Sequence, residues 1–115
     1  MSSSAHTAVE TGDIWLVNLD PTVGSEIQKT RPCVVVSPPE LNQHLKTVIV
    51  APMTTGARPA AFRLALTFQN KQGLILLDQI RTLDKTRLRK KVGALHPNTL
   101  QKTLRTLQAV FAPQV

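Results

Sequence analysis

The stretch IWLVNLDPTVGSEIQKTRPCVVVS, residues 14–37, consists of two mostly apolar runs separated by a polar loop. The first run, Ile14–Leu19, ends at Asp20-Pro21, a dipeptide typical of turns. The second run, Pro32–Ser37, begins with a proline, which a strand tolerates at its first position because the missing N–H is not needed there. The stretch therefore predicts two β-strands joined by a long loop, Asp20–Arg31.

The loop is the first place to look for function, because loops of this length are uncommon in small domains unless they carry a site. It places Glu26, Lys29 and Arg31 close together, immediately before a strand that would hold Arg31 rigidly. A fixed guanidinium can donate two hydrogen bonds to a phosphodiester and stabilise charge that develops on its oxygens. Alternatively, Arg31 pairs with Glu26 or Asp13 and only closes the loop, and such structural ion pairs are the commoner arrangement.

The rest of the chain alternates short apolar runs with turn signals until its last segment. These runs predict a helical turn at 40–44 and strands at 47–51, 62–66, 74 to about 82, and 88–94. In the last segment, apolar residues recur with helical spacing at Leu100, Leu104, Leu107 and Phe111, with Asn98 as the predicted N-cap. The pattern predicts a mainly β domain, a small and strongly bent sheet or barrel, with a C-terminal helix packed on it.

Length and composition fit one soluble domain. The 115 residues are 42% hydrophobic, which is enough for a core, and only 18% charged, so a disordered chain is not expected. Residues 1–11 are small and polar without periodicity. They predict a flexible N-terminal tail, followed by a single domain over residues 12–115.

The formal net charge of +7 comes from one region of the chain. Residues 81–105 hold eight Lys or Arg residues against Asp84 alone, whereas the rest balances at six basic and six acidic residues. A regional positive field suits a polyanionic partner, either nucleic acid or an acidic protein tail. Most runs of Lys and Arg are solvated faces, however, and residues 85–91 by themselves do not separate the two interpretations.

Several function classes have no support in the sequence. No apolar run approaches the roughly 20 residues of a membrane span, and the N-terminus lacks the features of a signal peptide, so a cytoplasmic protein without membrane contact is expected. The single Cys and the scattered His6, His44 and His96 lack the spacing of a zinc site. The glycines form no phosphate-binding pattern. Because both kinds of motif are missing, neither a metal nor another cofactor is expected.

Two further motifs carry polar side chains near strand ends. Thr54-Thr55 precede a glycine, so their hydroxyls are placed to bind a phosphate oxygen or a sugar hydroxyl, although such a motif is more often a turn bonded to its own backbone. Asp78-Gln79 interrupt an apolar run, where a carboxylate must face solvent or be paired. Asp78 is therefore either a wall of a site or a buried structural partner of an arginine.

Four stretches resemble, in their order along the chain, the MazF/PemK family of bacterial toxins. They are GDIW at 12–15, DPTVGSE at 20–26, TRPCVVVS at 30–37 and LDQIRT at 77–82. The resemblance extends from about Gly12 to Phe111. It implies an SH3-like small barrel of the CcdB/PemK/MazF type with a C-terminal helix, a homodimer, and sequence-specific, metal-independent cleavage of single-stranded RNA.

The resemblance also implies roles for single residues. Arg31 corresponds to the family's catalytic arginine, Thr54 to its catalytic threonine, and Glu26 to a loop carboxylate of the same site. The RNA 2′-hydroxyl would attack the adjacent phosphorus, leaving a 2′,3′-cyclic phosphate and a 5′-hydroxyl. Glu26 is the candidate base, because a guanidinium stays protonated and a threonine hydroxyl is a poor base. The RNA contacts expected from their positions are Lys29, Thr30, Thr55, Asp78, Gln79 and Arg81.

One position departs from this pattern, and two other functions stay open. Some PemK-type members carry an arginine two residues before the aspartate that aligns with Asp78, where this chain has Leu76, so Asp78 is assigned a supporting role. Gyrase poisons share the barrel but act through a Trp-containing C-terminal end, whereas the one tryptophan here is Trp15. A non-catalytic SH3-like RNA-binding module would need only the basic segment 81–105.

The resemblance finally implies a protein partner. A free toxin would harm its host, so a cognate antitoxin with an acidic, disordered tail is expected to cover the cleavage groove. The basic segment 81–105 would suit such a tail. Operator DNA is expected to be bound only through the complex with the antitoxin.

Overall fold

The computed structural model describes residues 8–114. These residues form seven strands and two α-helices. The elements are β1 Asp13–Asn18, β2 Thr30–Val35, α1 Pro39–His44, β3 Thr47–Thr54, β4 Arg63–Phe68, β5 Lys71–Leu76, β6 Arg81–Asp84, β7 Leu88–Ala94 and α2 Pro97–Val110. The predicted mainly β fold with a C-terminal helix is confirmed.

The strands form one curled sheet in the order β4-β5-β3-β2-β1-β7, with β6 paired to β3 beside β5. All the strand pairs given are antiparallel, as expected for short strands joined by turns. Phe68 near the end of β4 lies against Gly93 of β7, where an added Cβ would be 3.1 Å from the phenyl ring. The two outer strands of the sheet therefore approach each other, and the curl is tight.

The segment from Leu74 to about Thr82 is not one strand, as the sequence predicted, but two strands separated by a 3-10 turn, Leu77–Gln79. Both strands pair with β3, in registers that differ by three residues, which is the length of the turn. The side chains of such an inserted segment no longer follow the alternation of the hydrogen-bonded ladder. Asp78 and Gln79 thus point away from the sheet, towards other segments.

Apolar side chains are buried on both faces of the sheet, because successive residues of a strand point to opposite sides. One cluster includes Trp15, Val17, Cys33, Val35, Val48 and Val50. The other includes Ile14, Val34, Ala51, Met53 and Ile75, and Leu107 of α2 packs against it. The two-sided core holds the ends of β2 and β3 rigidly, and these ends carry Arg31 and Thr54.

Helix α2 differs in detail from its prediction. Its N-cap is His96, whose Nδ1 accepts from the Asn98 N–H at 3.1 Å, so Asn98 lies inside the helix rather than at its cap. Pro97 follows the cap at a position where a missing N–H costs nothing. Phe111, predicted as the last residue of the packed stripe, is 69% exposed.

The packed part of the chain includes residues before Gly12. Val9 is buried in the core with Trp15, although it falls inside the segment predicted as a flexible tail. Residues 1–7 of that segment lie outside the described residues. No helix formed by residues 8–114 is long and apolar enough to cross a membrane.

Candidate nucleic-acid cleavage site

A cleft of about 210 Å³ lies where β2 begins and β3 ends, and is here called the strand-end cleft. Its lining residues are Arg31, Pro32, Met53, Thr54, Thr55, Leu66, Phe68, Gln69, Lys71 and Gly73. The β2–β3 register pairs Cys33 with Pro52. This is the last pair of the ladder, and Arg31 and Thr54 each lie two residues beyond it, towards the cleft. The two residues predicted as catalytic therefore meet in one cleft, on facing strand ends.

Arg31 has no ion-pair partner among residues 8–114, where the ion pairs are Arg63–Asp78 and Lys91–Asp13. Its side chain is exposed, and its Nε donates to the Gln28 carbonyl at 3.3 Å. The interpretation that Arg31 closes the loop by pairing with Glu26 or Asp13 is therefore wrong. The ends of the guanidinium face solvent, where they can bind an anion.

Thr54 is held by its neighbours on two sides. Its Oγ1 accepts a hydrogen bond from the Gly56 N–H at 3.1 Å, so the hydroxyl proton stays available for donation to a ligand. Its carbonyl oxygen lies against β5, where a Cβ added to Gly73 would be only 2.9 Å away. The absence of a side chain at Gly73 is what allows β5 to approach Thr54 so closely.

A second depression, the loop pocket, adjoins the strand-end cleft along β3. It is lined by Leu19, Pro21, Glu26, Ile27, Pro52, Asp78, Gln79, Ile80 and Arg81. Glu26 lies here and not in the strand-end cleft, and its Oε1 accepts from the Val23 N–H at 2.6 Å. Four residues predicted for the site, Glu26, Asp78, Gln79 and Arg81, thus share the loop pocket.

The loop between β1 and β2 is fixed by side chains from the opposite wall of the loop pocket. Gln79 Oε1 accepts from the Ile27 N–H at 3.0 Å, and Arg81 Nη1 donates to the Leu19 carbonyl at 3.1 Å. Arg87, which does not line the pocket, donates from Nη1 to the Asn18 and Asp20 carbonyls at 3.2 and 2.7 Å. The loop is therefore held at its start by Arg81 and Arg87 and at Ile27 by Gln79.

Lys29 and Thr30 lie at the end of this loop, and neither lines the strand-end cleft or the loop pocket. Lys29 has a φ of 68°, a left-handed conformation that is costly for a residue with a side chain. Two hydrogen bonds hold it there, from its own N–H to Asp20 Oδ1 and from the Leu19 N–H to its carbonyl. Strained backbone held in this way is concentrated at functional sites.

Asp78 combines the two alternatives that the sequence left open, because it lines the loop pocket and is also the partner of an arginine, although it is exposed and not buried. Arg63 Nε and Nη2 donate to its two carboxylate oxygens at 3.0 and 2.9 Å. These hydrogen bonds hold the pKa of the Asp78 carboxyl below its ordinary value. Arg63 lies on β4 opposite Leu76, the position where some PemK-type members carry an arginine.

Sequence reasoning missed several residues around the two depressions. Gln69 and Lys71 reach the strand-end cleft from the β4–β5 hairpin, whose two central residues, Gln69 and Asn70, both have positive φ. The short spacing of two strands was the signal for this hairpin, but not for where it lies. Arg63 and Arg87 contact residues far away in sequence, and no local pattern indicates such contacts.

Other groups that can carry chemistry lie away from these depressions. Burial raises the pKa of the Cys33 thiol to about 12, which makes it a poor nucleophile. Asp13 is buried, where it accepts from the Glu10 N–H and pairs with Lys91 at 3.2 Å. Within residues 8–114 no group of three or more His, Cys, Asp and Glu is placed to hold a metal ion.

Comparison with known sequences and structures identifies the family. A family model described as PemK-like, MazF-like toxin of type II toxin-antitoxin system matches residues 10–111. The chain is 36% identical over 109 residues to Endoribonuclease PemK of Escherichia coli, covering 90% of this chain and 82% of that protein. It is 38% identical over 93 residues to Endoribonuclease MazF of Staphylococcus epidermidis, covering 76% and 78%.

Solved structures of related toxins have the same fold. MazF from Deinococcus radiodurans superposes with a TM-score of 0.79 at 23% identity, covering 91% of this chain and 97% of that one. A mycobacterial endoribonuclease in complex with its cognate antitoxin superposes with a TM-score of 0.76 at 24% identity, covering 94% and 100%. With the match over residues 10–111, the chain belongs to the PemK-like, MazF-like toxins of type II toxin-antitoxin systems.

Proposed function

We propose that the protein is an endoribonuclease that cleaves single-stranded RNA at specific sequences and acts as the toxin of a toxin-antitoxin pair. The observation that carries the proposal is the meeting of Arg31 and Thr54 in the strand-end cleft, with the guanidinium free of carboxylate partners among residues 8–114. The names of the relatives, Endoribonuclease PemK and Endoribonuclease MazF, support it.

In this mechanism Arg31 and Thr54 bind the phosphate that is cut. The RNA 2′-hydroxyl gives its proton to the base and its oxygen attacks the adjacent phosphorus. The bond to the 5′ oxygen breaks, and that oxygen takes up a proton from solvent. The products are a 2′,3′-cyclic phosphate and a 5′-hydroxyl. Two N–H groups of the guanidinium and the Thr54 hydroxyl donate to the phosphoryl oxygens and stabilise the charge that develops there. The protein contributes position and electrostatics, and no step is assigned to a metal ion.

Glu26 is the candidate general base, and Asp78 supports the site. The loop fixes Glu26 Oε1 through the Val23 N–H, which leaves Oε2 for accepting a proton. Both oxygens of Asp78 are held by Arg63, so this carboxylate is poorly placed to accept a proton. RNA that binds across both depressions would bring Glu26 to the 2′-hydroxyl.

The loop pocket is the proposed site of sequence recognition. The Gln79 amide nitrogen and the remaining N–H groups of Arg81 are donors for base edges or phosphates. Thr55 adds a hydroxyl in the strand-end cleft, and Lys29 and Thr30 add polar groups at the end of the β1–β2 loop. The chain has one Trp, three Phe and no Tyr, which is too few for an extended stacking surface. Recognition by hydrogen bonds to a short motif fits this composition better than general binding of single strands.

The proposal includes two protein partners, a cognate antitoxin and a second copy of the chain. A relative was solved in complex with its cognate antitoxin. The exposed basic residues on β7, Arg89, Lys90 and Lys91, suit an acidic tail. Light scattering of the protein alone, and with an acidic protein encoded beside it, measures both associations. A monomer under all conditions would contradict the dimer.

Cleavage of a long single-stranded RNA in EDTA tests the function. The wild-type protein and the Arg31→Ala variant are compared on RNA and on a DNA of the same sequence, and the cut ends are mapped. Discrete cuts in RNA alone, ending in 2′,3′-cyclic phosphates and lost in the variant, are expected. Inhibition of gyrase with RNA of varied sequence left intact would replace the proposal with a gyrase poison. Tight RNA binding without cuts would indicate a binding module.

A further inference from the structure

Arg63 contacts three segments of the chain, because it pairs with Leu76 of β5 and its side chain binds the 3-10 turn and Arg58. It lines neither the strand-end cleft nor the loop pocket. Its Nε and Nη2 hold both oxygens of Asp78 in the 3-10 turn, and its Nη1 donates to the Arg58 carbonyl at 3.0 Å. Its side chain is only 20% exposed, whereas that of Asp78 is 37% exposed. A planar guanidinium with three of its N–H groups engaged is a rigid connection rather than a mobile surface charge.

Two of these segments lead directly to the residues of the proposed site. Arg58 lies in the segment that leaves β3 after Thr54 and Thr55. Asp78 is followed by Gln79, whose side chain accepts from the Ile27 N–H in the loop that carries Glu26. Arg63 therefore stands at the centre of a connected path from the end of β3 to the β1–β2 loop.

The 3-10 turn is short, so contacts from outside help to fix it. It spans only three residues between β5 and β6, and its preceding residue gives no side-chain cap. The Leu77 N–H donates to the carbonyl of Phe62, the residue next to Arg63. The bidentate contact with Arg63 thus fixes the orientation of Asp78, and with it that of Gln79.

We propose that Arg63 is a positioning residue, which fixes the β1–β2 loop against the end of β3 through Asp78, Gln79 and Ile27. Arg63 touches no substrate in this arrangement. It sets the shape of the loop pocket by holding Asp78, which lines the pocket. The inference rests on the proposed function for its consequence in cleavage, but its structural part is independent of any activity.

Amide hydrogen exchange of the whole protein tests the structural part. Arg63→Ala is expected to raise the exchange rate of the Ile27 amide about tenfold, the effect of losing a charge-assisted contact, while the amides of Val34 and Val50 in the core keep their rates. Arg63→Lys retains the positive charge but cannot donate to both Asp78 oxygens in the same geometry, so a smaller rise in the Ile27 exchange rate is expected. Asp78→Asn is a second route to the same loss, should Arg63→Ala fail to fold.

Two controls make the result specific to the proposed path. Lys91→Ala breaks the Lys91–Asp13 ion pair and should leave the Ile27 amide unchanged. In a Gln79→Ala background, Arg63→Ala should have no further effect on Ile27, because the connection is already cut. An unchanged Ile27 amide in the folded single variant would overturn the proposal, and so would an equal rise at Val34 and Val50, which would indicate a general loss of stability.

Cleavage kinetics tests the consequence for function. With an RNA that the wild type cuts, Arg63→Ala should lower kcat/KM about tenfold, and Arg63→Lys should recover part of that loss. An unchanged kcat/KM beside a faster Ile27 exchange would overturn the role in the site. If the wild type cuts no RNA, the proposed function fails, and the exchange experiment still decides whether Arg63 positions the loop.

Discussion

The strand-end cleft and the loop pocket lie side by side but are built in different ways. In the cleft, Arg31 is paired with Val17 of β1 and Thr54 with Leu74 of β5, above a core buried on both faces of the sheet. The wall of the pocket is a loop held by side-chain hydrogen bonds from Gln79, Arg81 and Arg87. Residues within a backbone ladder keep their positions, whereas a loop held by side chains changes with single substitutions. The proposed phosphate-binding groups therefore sit on the rigid part, and the proposed base Glu26 and the recognition groups on the adjustable part.

The largest expected effect is the loss of RNA cleavage in Arg31→Ala. Removing a donor that stabilises developing charge lowers kcat by about 10² to 10³. Stability should change by less than about 0.5 kcal/mol, because the side chain is exposed and only Nε is bonded. Arg89→Ala on β7 is the matched control with full activity. A variant that keeps its kcat would remove Arg31 from the chemistry.

Gly73→Ala tests whether the cleft is as rigid as the ladder indicates. The new Cβ would lie 2.9 Å from the Thr54 carbonyl oxygen, so the backbone of one strand must shift. We expect a loss of stability of about 1 to 3 kcal/mol, as for an overpacked core, and a drop in kcat. Urea unfolding and cleavage assays measure the two.

Gly56→Ala is the control for this substitution, because its Cβ would meet Thr54 Oγ1 at an ordinary 3.8 Å. It should preserve most of the activity. Equal effects of the two substitutions would show that the close approach of β5 is not what positions Thr54.

Arg87→Ala tests the adjustable part, with a smaller effect. It removes the donor to the Asn18 and Asp20 carbonyls at the start of the loop, whereas the hydrogen bonds at Val23 and Ile27 that hold Glu26 remain. KM for RNA should therefore rise about three- to tenfold, with kcat nearly unchanged. Arg105→Ala, on the exposed face of α2, serves as the reference for lost positive charge. A fall in kcat at constant KM would instead connect Arg87 to the chemistry.

The smallest effect concerns pH. Because Arg63 lowers the pKa of Asp78, the ion pair stabilises the folded protein fully above the ordinary carboxyl pKa, and this contribution disappears as pH falls through the lowered value. The Tm difference between wild type and Asp78→Asn should therefore shrink on acidification from pH 7. A Tm difference that stays constant down to the lowest pH at which both proteins fold would mean that the Arg63–Asp78 ion pair adds no stability.

The sequence predicted most of the fold, because alternating apolar residues and turn signals mark strands locally. The strand Leu88–Ala94 is confirmed with the predicted bounds, and the strands near Ile14–Leu19 and Thr47–Ala51 are confirmed with shifted ends. The run from Leu74 was extended through the 3-10 turn because its residues stay mostly apolar, and hydropathy does not record that β3 pairs with two separate pieces. The N-cap at His96 was missed because Asn is the commoner capping residue.

The sequence predicted those site residues that lie in a local motif or match the family resemblance, but not the contacts between residues that are distant along the chain. The resemblance placed Arg31 and Thr54, and the structure brings them together. Arg63 and Asp78 lie 15 residues apart on different elements, so nothing local joins them. Glu26 and Arg31 line different depressions because of the way the loop folds back. Contacts with Gln79 and Arg81, which are distant from the loop along the chain, set this conformation.

Strand β7 is at one end of the sheet and presents Arg89, Lys90 and Lys91 to solvent. An end strand offers unpaired backbone groups on which the sheet of another molecule can grow, and lysines there discourage such stacking through mutual repulsion. The same cationic strand that suits a polyanion thus also protects the free protein from aggregation. Salt, or a polyanion that neutralises it, would weaken this protection, so the colloidal stability of the chain depends on its ionic surroundings.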